Sequence, residues 1–184
     1  MDQLSGYAAR VRSLVASALC AVLVSASGCR RRVAPECGRA VPEAELWAVK
    51  TDAQLAGEIS TAMRCGRARG SKVLLEFTAD WCPDCRVMTD LERQGEAAAV
   101  LRERYERVRV HVGHWDRHAE LRARYGVQSI ATYVVLDANT GARVAQTTVE
   151  PVTGGRGPMT PALWAAWLRA PTTAAGPGAG ASAR

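Results

Sequence analysis

Residues 73–85, VLLEFTADWCPDC, join a predicted buried strand to a pair of cysteines, and this combination is the strongest indication of the fold. Residues 73–77 are apolar apart from Glu76, a pattern typical of a central strand buried on both faces. The residues that follow predict a helix from about Cys82 towards Arg93. Cys82 and Cys85 are three positions apart, so on a first helical turn their sulfurs lie close enough to form a disulfide.

The place of this pair at a helix start favours redox chemistry. Unpaired N–H groups of the first turn stabilise a thiolate at Cys82, which makes it the better nucleophile. Cys85 lies one turn further in and suits the resolving role, while Pro83 has no N–H to lose there. A plain structural disulfide or half of a zinc site are the other interpretations. Structural zinc usually takes four ligands from two such pairs, and the remaining cysteines are isolated.

The residues on either side of this stretch predict an α/β domain of order β-α-β-α-α-β-α-β-β-α, with helices on both faces of the sheet. The segment before the first helix, residues 46–49, is interpreted as a short strand. The first helix is expected to follow the N-cap at Thr51 and to end at Gly66 or Gly70. The later elements are strands at 108–112, 132–136 and 142–149 and helices at 97–104, 116–125 and from Pro161 onwards.

The chain begins with a predicted export signal, residues 1–28. Two arginines precede an uncharged apolar run, residues 14–27, which is too short for an ordinary membrane-spanning helix. Small residues before Cys29 resemble the lipobox of bacterial lipoproteins, so Cys29 is expected to carry lipid and become the new N-terminus. Cleavage without lipidation and an uncleaved anchor are the alternatives. All three place the domain outside the cytoplasm.

The remaining length divides into three parts. Residues 29–42 are charged and lack an apolar period, so they predict a tether, and residues 43–170 form the predicted domain. Residues 171–184, rich in alanine and glycine, predict a disordered tail.

The composition of the chain, 184 residues of which 48% are apolar and 23% charged, excludes collagen-like, coiled-coil and wholly disordered proteins. The net charge of +6 is not gathered in a stripe, so no nucleic acid partner is expected.

If Cys20 leaves with the export signal and Cys29 carries lipid, two cysteines remain outside the central motif. Cys37 and Cys65 flank the first helix in a chain bound for an oxidising space, where an even number of cysteines favours pairing. We expect them to form a structural disulfide that clamps the tether to the domain. Two unpaired thiols are the alternative.

Residues 77–86, FTADWCPDCR, resemble the active-site pattern of the thioredoxin superfamily. The layout of residues 47–149 is similar to the extracytoplasmic C-terminal domain of DsbD-type disulfide reductases and to thioredoxin-like lipoproteins. The resemblance implies a thioredoxin-like fold with a central mixed β-sheet. It also implies a thiol–disulfide oxidoreductase in which Trp81, Pro83 and Asp84 form the surroundings of the dithiol.

By this resemblance, Glu76 matches the family's buried acid, which helps move the proton from the resolving thiol. The physical expectation agrees, because a carboxyl inside an apolar strand holds a proton more readily than one in water. The alternative is a salt-bridged or surface-reaching glutamate at a strand edge.

Two residues depart from the usual pattern. Asp84 places a carboxylate between the cysteines, which disfavours the thiolate of Cys82 and favours a reductant over a strong oxidant. Ala131 occupies the position where the family has a cis-proline opposite the dithiol. Since a cis bond before a non-proline residue costs about 2.5 to 4 kcal/mol, the Ile130–Ala131 bond is expected to be trans.

The sequence thus predicts a periplasmic, membrane-tethered, monomeric enzyme that reduces protein disulfides and needs no cofactor. Its partners are substrates with disulfides and an electron-donating thiol–disulfide protein such as a DsbD-like one. A disulfide oxidase or isomerase is the alternative within this class. The alternative outside it is a binding or metal-carrying module, since His111, His114 and His118 lie close together in sequence. Solvated histidines are the commoner case, so no metal is expected.

Overall fold

The computed structural model describes residue 34 and residues 36–173. The predicted export signal, Cys29 and residues 174–184 of the predicted tail lie outside the described residues. After a 3-10 turn at Glu43–Glu45, the elements are α1 (Asp52–Arg69), β1 (Lys72–Thr78), α2 (Pro83–Glu92), α3 (Gly95–Arg104), β2 (Tyr105–His111), α4 (Ala119–Tyr125), β3 (Thr132–Leu136), β4 (Arg143–Thr147), α5 (Val149–Thr153) and α6 (Pro161–Arg169).

The four strands form one mixed sheet in the order β2-β1-β3-β4. Strand β1 is parallel to β2 and antiparallel to β3, and β4 is antiparallel to β3. All residues of β1 after Lys72 are buried, as expected of a strand inside the sheet. The predicted α/β class, a thioredoxin-like fold with helices on both faces of a mixed sheet, is confirmed.

Side chains alternate between the two faces of the sheet and divide the core in two. On one face, Leu75 and Phe77 pack with Leu55 of α1. On the other face, Leu74 packs with the two active-site cysteines and with Trp164 of α6. Glu76 and Thr78 follow Leu74 at two-residue spacing, so β1 directs them to the face that carries the dithiol.

The ends of α1 follow from its sequence. Thr51 caps the first turn, because its hydroxyl accepts the N–H of Gln54 while the Gln54 side chain accepts the N–H of Thr51. Gly70 ends the helix in the left-handed conformation, with φ 71°. Of the two predicted ends, the second is therefore the one the chain uses.

The expected strand at residues 46–49 is wrong. The chain there makes local hydrogen bonds from Leu46 N–H to the Glu43 carbonyl and from Ala48 N–H to the Glu45 carbonyl. Burial of Leu46 explains the difference, because a turn lets its side chain reach the core while the backbone bonds to itself. The short helix α5 was not expected, and it begins where β4 was expected to continue.

Candidate active site

The dithiol sits at the start of α2. Cys82 is the N-cap residue, and its sulfur accepts the N–H of Cys85 at 3.3 Å. Pro83 occupies the first helical position, where a missing N–H costs nothing. Both cysteines are free thiols, with Cys82 5% and Cys85 1% exposed. The helix start thus directs the Cys85 N–H at the sulfur of Cys82.

The two sulfurs have different surroundings. Burial is the main cause that raises the pKa of Cys85 to about 12, and the contact with Cys82 adds to it. The Thr78 hydroxyl and the Ala79 backbone lower the pKa of Cys85 but do not outweigh burial. Cys85 is therefore a protonated thiol near neutral pH, and it needs a proton acceptor before it can attack.

The residues around the dithiol lie largely at the surface. Trp81 is 39% exposed, its indole N–H donates to the Gly113 carbonyl at 2.9 Å, and its ring stacks on His114 with centroids 5.7 Å apart. Asp84 is exposed on the first turn of α2. Indole and carboxylate therefore border the dithiol on the solvent side.

Ala131 lies beside the cysteines, buried in the same core as Cys82 and Cys85. The expectation of a trans bond before it is wrong, because the Ile130–Ala131 peptide bond is cis. The local fold explains the difference. Thr132 is fixed opposite Phe77 in the sheet and its hydroxyl donates to the Ser129 carbonyl at 2.7 Å, which closes a tight loop around Ala131.

Glu76 is buried in the middle of the sheet, and its carboxylate is ion-paired. Oε1 accepts from Nε of Arg107 at 2.5 Å, and Oε2 accepts from Nη2 of Arg107 at 3.1 Å. Nη1 of Arg109 lies 3.3 Å from Oε2. The observed Glu76 combines both sequence interpretations, since it is a buried acid and also salt-bridged, but inside the sheet rather than at its edge.

A second carboxylate shares these arginines. Glu92, the last residue of α2, accepts from Nη2 of Arg107 at 2.5 Å and lies 3.5 Å from Nη1 of Arg109. We call Glu76, Glu92, Arg107 and Arg109 the charge cluster. All four side chains are at most 8% exposed. Trp47 covers the cluster, with its ring centroid 5.0 Å from the Arg109 guanidinium carbon.

Comparison with known proteins fits this arrangement. A family model described as thioredoxin-like matches residues 54–138. A disulphide isomerase from Xylella fastidiosa Temecula1 is 25% identical, with a TM-score of 0.58 over 67% of this chain and 95% of that one. By this sequence match and by its fold, the protein is thioredoxin-like.

A further structure shares the fold of this thioredoxin-like protein. The oxidised DsbD C-terminal domain of Neisseria meningitidis is 23% identical, with a TM-score of 0.50 over 66% of this chain and 97% of that one. No curated protein sequence matches the chain significantly. At the general level, the thioredoxin-like fold supports thiol–disulfide oxidoreductase chemistry.

Sequence reasoning missed three residues near the dithiol of this thioredoxin-like protein, namely Glu92, Arg107 and Arg109. Two signals were available. Arg107 and Arg109 alternate with valines in β2, which places both on one face of the sheet. Glu92 follows Cys85 by seven positions, two helical turns, so both side chains lie on the same face of α2.

The three histidines do not come together as a ligand set. Nε2 of His111 lies 3.3 Å from Oδ1 of Asp80, whereas the ring of His114 stacks on Trp81. Nδ1 of His118 lies 2.5 Å from Oδ1 of Asp52 at the start of α1. Each histidine thus has a partner of its own.

Cys37 and Cys65 are bonded to each other, with their Cα atoms 5.2 Å apart. The carboxylate of Glu36 lies near these sulfurs, but sulfurs joined in a disulfide are not free to bind a metal. The bond ties the segment before the 3-10 turn to α1, and the Gly38 N–H donates to the Glu106 carboxylate nearby at 2.8 Å. Within the described residues, no helix has both the length and the apolar character needed to cross a membrane.

Proposed function

We propose that this protein is an exported thiol–disulfide oxidoreductase that reduces protein disulfides with Cys82 and Cys85. The observation that carries the proposal is the difference between the two sulfurs. Cys82 stands at the helix start, where the Cys85 N–H donates to its sulfur, while Cys85 is buried with its pKa raised to about 12. Such a pair divides the work between an attacking and a resolving thiol.

The reaction proceeds in two exchange steps. The Cys82 thiolate attacks one sulfur of the substrate disulfide, so a mixed disulfide forms and the first substrate thiolate leaves and takes a proton from water. Cys85 then loses its proton and its sulfur attacks that of Cys82. The Cys82–Cys85 disulfide forms, and the second substrate sulfur leaves as a thiolate that takes a proton from water. Two electrons pass from the enzyme's cysteines to the substrate's sulfurs.

The proton of Cys85 needs an acceptor inside the protein. Glu76 is the candidate by resemblance, and its place on the face of β1 that carries the dithiol supports this role. Its ion pairs with Arg107 and Arg109 hold the carboxylate in place beneath α2. Glu76 thus serves as a general base in the resolving step.

The direction of transfer follows from charge. The exposed carboxylate of Asp84 stands two positions from Cys82, where its negative charge favours the uncharged disulfide form of the enzyme. A protein of this kind donates electrons to its substrates. It then needs an electron-donating thiol–disulfide partner, a DsbD-like protein, to return it to the dithiol form.

The proposed location is the periplasm, with a lipid at Cys29 as membrane anchor and the protein acting as a monomer. The predicted export signal of residues 1–28 supports export. The disulfide between Cys37 and Cys65 supports it independently, because structural disulfides persist mainly in oxidising compartments.

Reduction of insulin disulfides by the dithiol form tests the proposal. The wild-type protein is expected to precipitate insulin chains in the presence of dithiothreitol faster than dithiothreitol alone. Cys82→Ser is expected to fall to the background rate, and Cys37→Ser with Cys65→Ser serves as the matched control that retains turnover. If the wild-type protein reduces insulin no faster than dithiothreitol alone, the proposed function is contradicted. The alternative of a binding module without turnover would then be favoured.

Disulfide isomerisation is a second candidate, favoured by the 25% identity to the structure described as a disulphide isomerase. Isomerisation needs a mixed disulfide that persists long enough to rearrange, whereas reduction needs prompt resolution by Cys85. Recovery of activity from scrambled ribonuclease separates the two. An isomerase keeps most of this activity in Cys85→Ser, and a reductase loses it.

A further inference from the structure

The two carboxylates of the charge cluster differ in how many of their oxygens have a partner. Both oxygens of Glu76 face arginine nitrogens. Glu92 uses only Oε2 in this way, and its Oε1 is buried without a hydrogen-bond partner. A buried carboxylate oxygen without a donor is costly while the carboxylate is charged, and protonation of Glu92 removes that charge while Glu76 stays paired with both arginines.

Glu92 also lines a cavity, and Glu76 does not. The cavity measures about 160 Å³ and has room for several water molecules. Its inner wall includes the buried side chains of Glu92 and Arg109, and its outer wall includes Arg39 and Arg102, which are exposed. Because the polar residues that line the cavity include both buried and exposed ones, water can occupy it between the solvent and Glu92.

The groups that face Glu92 come from every element packed against it. They are Glu76 of β1, Arg107 and Arg109 of β2 and Tyr133 of β3, and the cavity beside Glu92 adds Arg102 of α3, Arg39 of the N-terminal segment, and Thr89 and Arg93 at the end of α2. Burial first, and then the charge of Glu76, raise the pKa of Glu92 to about 7 against the opposing effects of the two buried arginines and of the Tyr133 hydroxyl. Burial raises the pKa of Tyr133 well above its ordinary range, so its hydroxyl stays protonated.

Arg109 connects this carboxyl to the resolving cysteine. Its Nη2 donates to the Thr89 hydroxyl at 2.8 Å and to the Thr78 hydroxyl at 3.4 Å. Thr89 in turn donates to the Cys85 carbonyl at 2.7 Å, and Thr78 lowers the pKa of the Cys85 thiol. When Glu92 takes up a proton, Arg109 loses part of its negative counter-charge, and the field at Cys85 shifts in favour of a thiolate.

We infer that Glu92 is the carboxyl through which the charge cluster exchanges its proton with solvent, and that water in the adjoining cavity carries this proton. The inference rests on the proposed function for its place in catalysis. As the Cys85 sulfur bonds to that of Cys82, the proton of Cys85 passes to the cluster and comes to reside on Glu92, while the substrate sulfur leaves as a thiolate with the matching negative charge. Glu92 then releases the proton to water, and the departing substrate thiolate takes one from solvent.

Infrared difference spectroscopy of the reduced protein tests this directly and needs no substrate. We expect a band of a buried protonated carboxyl that disappears with a midpoint near pH 7. In Glu92→Gln the band is absent, whereas Glu92→Asp still shows a carboxyl band that disappears as the pH rises. Glu76→Gln keeps it with a lower midpoint, since the charge that helps raise the pKa of Glu92 is gone. Asp90→Asn, an exposed carboxyl on the same helix, is the control that leaves it unchanged.

Kinetics give the second readout. In wild type, the rate of mixed-disulfide resolution is expected to rise through pH 7 as Glu92 becomes able to accept a proton. In Glu92→Gln that rise is absent, and the rate at pH 8 is at least about tenfold lower. The inference is overturned if the reduced wild type shows no titrating band of a buried carboxyl. It is also overturned if the band persists in Glu92→Gln or vanishes in Glu76→Gln. A failed insulin assay leaves the infrared result intact and so bears on the proposed function alone.

Discussion

Glu76 and Arg109 lie directly opposite each other on the parallel strands β1 and β2, and Nη1 of Arg109 is 3.3 Å from Oε2 of Glu76. The pair belongs to a buried cluster of two carboxylates and two guanidiniums, whose formal charges cancel. Such clusters tolerate the loss of one member poorly, because the partners left behind remain buried without compensation.

We therefore expect Arg109→Met to lower the free energy of unfolding by about 3 kcal/mol. Urea denaturation followed by tryptophan fluorescence measures it. Arg64→Met is the matched control, because the Arg64–Glu36 pair is 57% and 40% exposed and such pairs contribute at most about 1 kcal/mol. Equal losses in the two variants would contradict the account of the cluster.

The two active-site thiols are expected to differ in reactivity. In the reduced protein at pH 7, iodoacetamide should modify Cys82 at least about tenfold faster than Cys85, because thiolates react and burial raises the pKa of Cys85 to about 12. Peptide mass spectrometry after timed quenching gives both rates. Protein unfolded in urea is the control in which the difference disappears. Equal rates in the folded protein would argue against the division of roles.

The disulfide between Cys37 and Cys65 closes a loop with a sequence separation of 28. By the loop-entropy model, the double variant Cys37→Ser, Cys65→Ser should lose about 3 kcal/mol of unfolding free energy. Denaturation under non-reducing conditions measures the loss. The wild type in reducing buffer should lose as much unfolding free energy as the double variant does. A double variant as stable as the oxidised wild type would show that the disulfide does not stabilise the fold.

The raised pKa of Glu92 makes stability depend on pH. Between its ordinary value of 4.5 and about 7, the native state holds a proton on Glu92 that the unfolded state has lost. Unfolding then releases a proton, so the contribution of Glu92 to stability falls as pH rises through this window. Wild type should lose stability relative to Glu92→Gln from pH 5 to pH 8. A difference between the two that stays constant across this range would refute the assignment.

Much of the fold was predictable from local signals. The apolar run of β1 and the cysteines at the start of α2 identified the central strand and the dithiol, because both depend on neighbouring residues. Thr51 and Thr160 marked helix starts through cap hydrogen bonds that span three residues. The strand expected at residues 46–49 failed because burial of Leu46 is a tertiary effect.

The rest of the site depends on contacts between distant parts of the chain. Glu92 meets Arg107 only because α2 lies across β2, a distance of 15 positions in sequence. The cis bond before Ala131 runs against the intrinsic preference of the residue and follows from the loop that Thr132 closes. The sequence pattern gives the face of its own element on which Glu92 or Arg107 lies, but it does not show that the two side chains meet or that the bond before Ala131 is cis.

Trapping of mixed disulfides shows directly whether Cys82 attacks the substrate and Cys85 resolves the intermediate. Each single cysteine-to-serine variant of the pair is incubated with a disulfide-containing protein, quenched in acid and separated without reductant. Cys85→Ser is expected to accumulate a covalent complex that reductant releases, and Cys82→Ser to accumulate none. The opposite pattern, or complexes of equal yield from both variants, would contradict the account.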